Sequence, residues 1–304
     1  MENQSVLKKQ DLINDLNKLG LQKGDIVNVK ASLKSIGFIN GGANTLVEAL
    51  IDVVGNEGAI LTESFIKMLP IKKLNKNNSN HFANKNSDSY AGALTNAILK
   101  HPNVIVGNHP THRYAAIGEK IALIVQSHTV EDDPYLVLER IAEAGAKNLR
   151  IGSKEKVVGV GTTHIAINKT KLRQKRPRVG IYYKDGDEIK LFENWWATGC
   201  EKGFNKMISL FNETDAIIKD GKIGNAEALL TSMKRTLEIE YNAITSNPTI
   251  MLCDDPACAK CRIAWEFIKG NSLSCVFANI KKLNLKGTIS AVYYIFNNNY
   301  LPKK

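Results

Sequence analysis

The feature that most constrains the fold lies near the amino end. There two short apolar runs, residues 26–30 and 59–62, bracket an amphipathic segment at 44–54. In that segment Leu46, Leu50, Ile51 and Val54 recur at helical spacing, and Gly55 closes it. Between the first run and the helix stand Ala31-Ser32-Leu33-Lys34-Ser35-Ile36-Gly37 and then Gly41-Gly42. Strand, loop, helix and strand in this order predict an α/β sheet with helices on its faces. Backbone N–H groups and hydroxyls at such a helix start can hold an anionic phosphate. The loop has neither a Walker lysine nor a G-x-G-x-x-G string, so a purely structural turn explains it as well.

The alternation continues on both sides. Residues 5–19 read as a helix through Leu12, Ile13, Leu16 and Leu19, with Ser5 as cap and Gly20 as stop. Residues 91–99 and 135–144 read as helices, and 103–106 and 148–152 as strands. The polar stretch 74–89 reads as a mobile loop or lid. A hairpin is expected at 179–183 and 188–192, then a helix at 202–211 and a strand at 214–218. A second helix is expected from Asn225, with Glu227 in its first turn. No internal repeat is visible.

The 304 residues are 43% apolar and 23% charged, the balance of an ordinary globular protein. Neither a signal-peptide core nor a membrane-length apolar run is present, so a cytoplasmic protein is expected. The formal charge of +11 favours anionic partners such as nucleotide cofactors, acidic carrier proteins, nucleic acid or anionic lipid. Part of it sits in KTKLRQKRPR, residues 169–178, which reads as a solvated face. With no recognisable nucleic-acid motif, nucleic acid is not expected as partner.

One histidine stands out. His164 lies in VVGVGTTHIAIN, residues 157–168, behind Gly159, Gly161, Thr162 and Thr163. The stretch reads as a glycine-relieved loop, where an imidazole can exchange a proton near neutral pH. Upstream, His109-Pro110-Thr111-His112-Arg113 places two histidines three apart, without a third ligand nearby to complete a metal set.

Together these strings resemble the aminoglycoside 3-N-acetyltransferase family. The resemblance rests on Ser32–Gly37 with Gly41-Gly42-Ala43, on Gly55-Asn56-Glu57-Gly58 and on Gly92-Ala93-Leu94. It continues through His109–His112 with Ala115-Ala116-Ile117-Gly118, Thr162-Thr163-His164-Ile165-Ala166, and Gly221 to Ala228. It implies a three-layer α/β/α sandwich with a mixed central sheet, and acetyl-CoA as donor to an amine of a small molecule. By matching position, Ser32, Leu33, Lys34, Ser35 and Gly37 would hold the coenzyme, with Ser89, Gly92, His109, Thr111, His112 and Arg113. His164 would be the general base, Thr162 or Thr163 oxyanion donors, and Glu193 or Glu227 the carboxylate that orients the imidazole.

Two departures from the pattern bear on the acceptor. Lys30 stands where members usually carry histidine, and Ile167 where they usually carry the glutamate of His-Leu-Ala-Glu. Polycationic substrates need acidic pockets, because desolvated charges must be paired. The acceptor is therefore expected to be a less charged amine, or an acyl group on an acidic carrier protein in a biosynthetic acyltransfer. A non-catalytic CoA or nucleic-acid binder is the alternative of another class.

Residues 1–246 would form the acetyltransferase-like domain, and 247–304 a cysteine-containing extension packed on it. The extension could cover the active site or make an oligomer contact such as a homodimer's. Five cysteines, most of them late in the chain, argue for thiols or a metal rather than disulfides. Cys253, Cys258 and Cys261 are spaced C-x4-C-x2-C with Cys275 beyond, a set that could hold zinc or an iron–sulfur cluster. Three free thiols at the start of a helix over 259–268 are the simpler reading.

Overall fold

The computed structural model describes residues 6–152, 161–194, 199–270, 272–297 and 300. In chain order, α1 (Lys9–Lys18) leads to β1 (Ile26–Ala31), α2 (Leu33–Ile36), α3 (Gly42–Val54), β2 (Ala59–Glu63) and β3 (Leu69–Pro70). Next come α4 (Ala93–Leu99), β4 (Ile105–Val106), β5 (Tyr114–Ile117), α5 (Ala122–Gln126), α6 (Leu136–Glu143), β6 (Lys147–Ile151) and α7 (Thr162–Lys169). The hairpin β7 (Val179–Asp185) and β8 (Glu188–Asn194) precedes α8 (Glu201–Met207), β9 (Ile217–Ile223), β10 (Ala226–Ser232) and α9 (Met233–Ser246). Three helices end the chain: α10 (Ala259–Arg262), α11 (Ser272–Lys281) and α12 (Leu285–Phe296).

Seven strands form one mixed sheet in the order β4-β5-β2-β1-β6-β10-β9. β1 runs parallel to β2 and β6, and the outer strands pair antiparallel. Strand periodicity divides the two faces. Val27 and Val29 of β1, Ile60 of β2 and Leu149 and Ile151 of β6 share a core with Leu12, Leu16, Leu46, Leu50 and Ile98 of α1, α3 and α4. On the opposite face Ile26, Leu61, Tyr114 and Ala116 pack with Leu138, Ile141, Ile165 and Met233 of α6, α7 and α9. The expected three-layer α/β/α sandwich with a mixed sheet is present. A separate antiparallel sheet, β3-β7-β8, stands beside it.

The structure departs from expectation at several places. α1 starts at Lys9, and the Ser5 cap lies outside the described residues. Of the stretch 157–168 expected as loop, Thr162 to Asn168 belong to α7 with Gly161 as its cap, while 157–160 lie outside the described residues. The helix expected from Asn225 is instead the β9–β10 hairpin. Ala226, Ala228 and Leu230 are buried in alternation with Glu227 and Leu229, and β10 pairs with β6 from Ala228 to Ser232. Sheet pairing overrides the helix propensity of Glu-Ala-Leu-Leu. The expected strand at 214–218 starts only at Ile217, and the helix at 259–268 shortens to α10.

The polar stretch 74–89 is fastened rather than free. Ala83 N–H donates to the Tyr182 carbonyl (2.8 Å). The buried Arg113 guanidinium donates to the carbonyls of Asn84 (2.9 Å), Lys85 (2.8 Å) and Ser87.

Ile167 is fully buried among Phe204, Met207, Ile244, Leu252, Cys261 and Trp265. Residues from both sides of position 246 thus share one core around the residue that replaces the family's acid. An unpaired carboxylate there would lose its hydration without a partner. Ile167→Glu should therefore destabilise the protein by about 3 kcal/mol or more, against about 1 kcal/mol for Ile167→Val. Urea denaturation of the three proteins checks this, and near-equal midpoints would contradict the closed packing.

Candidate active site

The carboxyl ends of parallel strands are where open α/β sheets place their ligands. Here β1 and β2 end in Lys30 and Glu63 on the face covered by α7. Lys30 Nζ and a Glu63 carboxylate oxygen are 2.8 Å apart, with Glu63 nearly buried. The other Glu63 oxygen, Oε1, has no hydrogen-bond partner among the described residues. Asn28 and Asn148 pair side by side beneath them (3.0 Å). The chain reaches α7 through Gly161, whose φ of 76° is a left-handed conformation. A Cβ there would stand 3.1 Å from Glu63 Oε1, so the glycine lets α7 begin directly over the ion pair.

His164 lies in the first turn of α7. Its ring stacks on Tyr135 (4.7 Å, 5°) and meets Phe204 edge-on (4.8 Å, 82°). Nδ1 is buried with no hydrogen-bond partner among the described residues. Burial, aided by Lys30, His112 and Arg176, lowers its pKa from 6.5 to about 3. The imidazole is therefore neutral at pH 7, the form able to accept a proton.

The HPTH string continues this array. His112 contacts Tyr135 (5.6 Å) and His109 (5.4 Å), and His109 stacks on His128 (5.0 Å). His109 Nδ1 accepts the N–H groups of Thr111 (3.1 Å) and His112 (3.0 Å), and the Thr111 hydroxyl meets His112 Nδ1 at 2.8 Å. Burial lowers His109 to about 2 and His112 to about 3. His109 and Arg113 also line a cleft of about 370 Å³ with Asn84, Lys85 and Tyr183. Arg113, expected at the coenzyme, directs its donors to Ser64 and to the 84–87 carbonyls, so its role here is to hold that loop.

Ser32 caps α2, and its hydroxyl lies 2.8 Å from that of Ser35. Leu33 and Gly37 are partly buried and Lys34 is exposed. Gly37 (φ 108°) receives the Asn225 side chain, which a Cβ would meet at 2.8 Å, and Asn225 N–H donates to the Ile36 carbonyl (2.9 Å). The Gly224-Asn225 turn between β9 and β10 therefore braces the serine loop. Ser89 is a buried turn hub: its hydroxyl donates to the Phe65 carbonyl (3.1 Å) and accepts from Ala91 N–H (3.1 Å). Gly92 caps α4 with φ 111°.

The other expected catalytic groups lie elsewhere. The Thr163 hydroxyl donates to Glu240 and that of Thr162 to Thr236 (3.0 Å), so both face α9 and are not free as oxyanion donors. Glu193 is held by Arg178 in a two-point ion pair (2.5 and 2.7 Å). Glu227 is exposed on β10 and lines a different cleft, of about 720 Å³, with Arg150 and Asp220. Neither carboxylate hydrogen-bonds the imidazole. Cys275 also departs from expectation. It is buried on α11, whereas the sulfurs of Cys253, Cys258 and Cys261 converge with that of Cys200.

Sequence reasoning passed over Glu63, Tyr135, Phe204, Glu240 and Cys200. Two had a signal. Glu63 is an acid at the end of an apolar strand. Glu240 falls in line with the buried Met233, Thr236 and Ile244 of α9, and burial raises its pKa to about 7. The 169–178 run, read as a solvated face, is largely engaged. Arg173 N–H donates to Glu266 (2.8 Å), Lys175 N–H to the Ala264 carbonyl (2.9 Å), and the Arg176 carbonyl accepts from Tyr293 (2.8 Å).

With this geometry in place, comparison with known proteins places the chain. The family model described as aminoglycoside 3-N-acetyltransferase matches residues 29–244. The SPbeta prophage-derived aminoglycoside N(3')-acetyltransferase-like protein YokD of Bacillus subtilis is 33% identical over 141 residues, 40% of this chain and 51% of that protein. Aminoglycoside N(3)-acetyltransferase VII of Streptomyces paromomycinus is 26% identical over 174 residues, 50% of this chain and 60% of that protein. The match thus spans about half to three-fifths of these two relatives. Among solved structures, AAC-IIIb in its binary complex with CoASH superposes with a TM-score of 0.69 at 21% identity, over 80% of this chain and 97% of that one. No helix among the described residues is long and apolar enough to cross a membrane. By family model and by fold, the chain belongs to the aminoglycoside 3-N-acetyltransferase family.

Proposed function

We propose that this protein is an acetyl-CoA-dependent N-acetyltransferase in which His164 is the general base. The observation that carries the reading is the neutral, partly exposed imidazole of His164. It stands at the carboxyl ends of the parallel strands, close to the Ser32–Gly37 and His109–Arg113 segments that match the family's coenzyme-binding strings. The Ser32 and Ser35 hydroxyls and the first-turn N–H groups of α2 are a donor set suited to the anionic and amide portions of the coenzyme. His164 would accept the proton that the acceptor nitrogen loses as its bond to the acetyl carbon forms. The thioester C–S bond then breaks and the CoA sulfur leaves as thiolate.

The same surroundings define the acceptor class. Lys30 and the half-buried Arg176 place positive charge toward the imidazole, and Glu63, a nearby acid, is already paired with Lys30. A polycationic aminoglycoside would find no unpaired carboxylate at Glu63 and none at Ile167. A base this weak suits an amine that arrives neutral and gives up its proton only after attack, when the nitrogen has become strongly acidic. The acceptor is therefore a weakly basic amine, such as an arylamine, rather than a polyamine. Within the basic run that motivated an acidic carrier partner, Lys169, Arg173 and Arg178 pair with Glu139, Glu266 and Glu193 of this chain, which favours the small-molecule reading.

With acetyl-CoA and a panel of amines, thiol release should be faster for arylamines than for aminoglycosides. His164→Ala should lower kcat by about 100-fold or more while CoA still raises Tm. Unchanged turnover in that variant removes His164 from the chemistry, and preferential turnover of aminoglycosides removes the proposed acceptor class.

The buried imidazoles also set the acid stability. His109, His112 and His164, and with them His128, have folded pKa values below the ordinary 6.5. Between about pH 6.5 and 3 the unfolded chain binds more protons at these sites, so their stabilisation is complete above that window and lost as pH falls. Glu240, raised to about 7, and Asp133, raised to about 6, act in the opposite sense over part of the range. The imidazoles outnumber them, so Tm should fall from pH 7.5 to pH 5. Scanning calorimetry tests this, and a Tm that is flat or rises toward pH 5 would contradict the burial of neutral histidines.

A further inference from the structure

The sulfur atoms of Cys200, Cys253, Cys258 and Cys261 all lie within 4.8 Å of one another. We propose that they bind a single zinc ion, and that this ion fastens the segment after residue 246 to the helix that walls the candidate active site. Four thiolates at about 2.3 Å from a tetrahedral zinc lie about 3.8 Å apart. Cys258 Sγ and Cys200 Sγ are 3.6 Å apart, longer than a disulfide bond and close to that spacing. An iron–sulfur cluster holds its thiolates around several metal atoms and bridging sulfides, so it needs a wider opening.

The surroundings are those of a metal centre. Cys253 N–H donates to Cys261 Sγ (3.4 Å). Such N–H···S bonds orient thiolate ligands and offset their charge. Cys253 and Cys261 are buried, while Cys200 and Cys258 reach the surface, which leaves a path for the ion. Four thiolates around a divalent cation leave two net negative charges. Lys202 lies near Cys200 and Cys253, and Arg262 donates to the Cys253 carbonyl.

The ligand set spans two parts of the chain. Cys200 caps α8, and the other three stand 53 residues or more beyond it, Cys253 and Cys258 on the loop leading into α10 and Cys261 within that helix. α8 is pressed against this loop at Gly203, where a Cβ would lie 2.2 Å from the Met251 carbonyl oxygen. One residue on, Phe204 meets the His164 ring. Zinc at this position would thus fix the wall behind the imidazole, and the assignment does not depend on which reaction His164 serves.

Elemental analysis of the full chain, purified without metal-affinity steps, should find one zinc per chain. Replacing zinc with cobalt(II) should give the intense thiolate-to-cobalt absorption of a tetrahedral four-thiolate site. Cys200→Ser should lose most of the metal and lower Tm by about 10 °C, whereas Cys275→Ser should keep zinc. Should Cys200→Ser not fold, wild-type protein treated with a strong chelator and reductant should show the same fall in Tm, restored by zinc. Protein carrying stoichiometric iron, zinc-free protein with a Cys200–Cys258 disulfide, full zinc retention in Cys200→Ser, or zinc loss in Cys275→Ser would each overturn the assignment.

Discussion

The packing of Ile167 beneath Phe204, Met207, Leu252 and Trp265 decides how the rest of the site is arranged. Ile167 follows His164 by three positions on α7, so the two side chains lie on neighbouring parts of one helical surface. Whatever covers Ile167 also bounds the imidazole, and Phe204 does both. An apolar cover can close over an isoleucine with favourable burial, about 2 kcal/mol for a side chain of that size. It cannot close over an unpaired carboxylate without a cost that exceeds this gain. An apolar residue at 167 and an apolar cover built partly from residues beyond 246 therefore require each other physically.

That change reaches the chemistry through the imidazole. A histidine paired with a carboxylate keeps or raises its basicity, whereas His164 has a buried Nδ1 without a partner among the described residues and loses basicity to burial and to Lys30. Its orientation is set by ring contacts, Tyr135 on one face and Phe204 at the edge, rather than by an ion pair. The neighbouring imidazoles are likewise neutral: two backbone N–H groups hold His109, which stacks on His128, and the Thr111 hydroxyl meets His112. Such a site stabilises charge poorly in the ground state. It therefore suits reactants that enter neutral and become charged only as bonds form.

Much of this was readable in the sequence, and the limits were physical. Local signals were strong where one strand or helix decided the outcome: β1, α3 and β2 fall where their apolar spacing puts them, and His164 stood out within its glycine-threonine setting. They failed at 225–232, where Glu-Ala-Leu-Leu prefers a helix but the open edge of β6 supplies a pairing partner. They failed again at the 74–89 stretch, whose polarity says nothing about the buried Arg113 that holds it. Glu193 and Glu227 were reasonable by type, yet side-chain type does not fix which sheet or cleft a residue reaches. Cys200 could not be found by spacing at all, because its companions lie on a different segment and only folding brings the four sulfurs together.

The end of the chain therefore does more than append helices to a finished fold. Its Met251–Trp265 stretch completes the cover over Ile167, and Glu266 and Tyr293 engage the 169–178 run that would otherwise be an open basic face. Each contact fastens residues directly after α7, and α7 carries His164. Backbone groups beside the base are thereby satisfied internally, while Lys30 and Arg176 bring positive charge toward the imidazole. Glu63 is itself matched to Lys30, so its charge is balanced within the site. The enclosing segment thus shapes the surroundings of the imidazole by closing the space beside it.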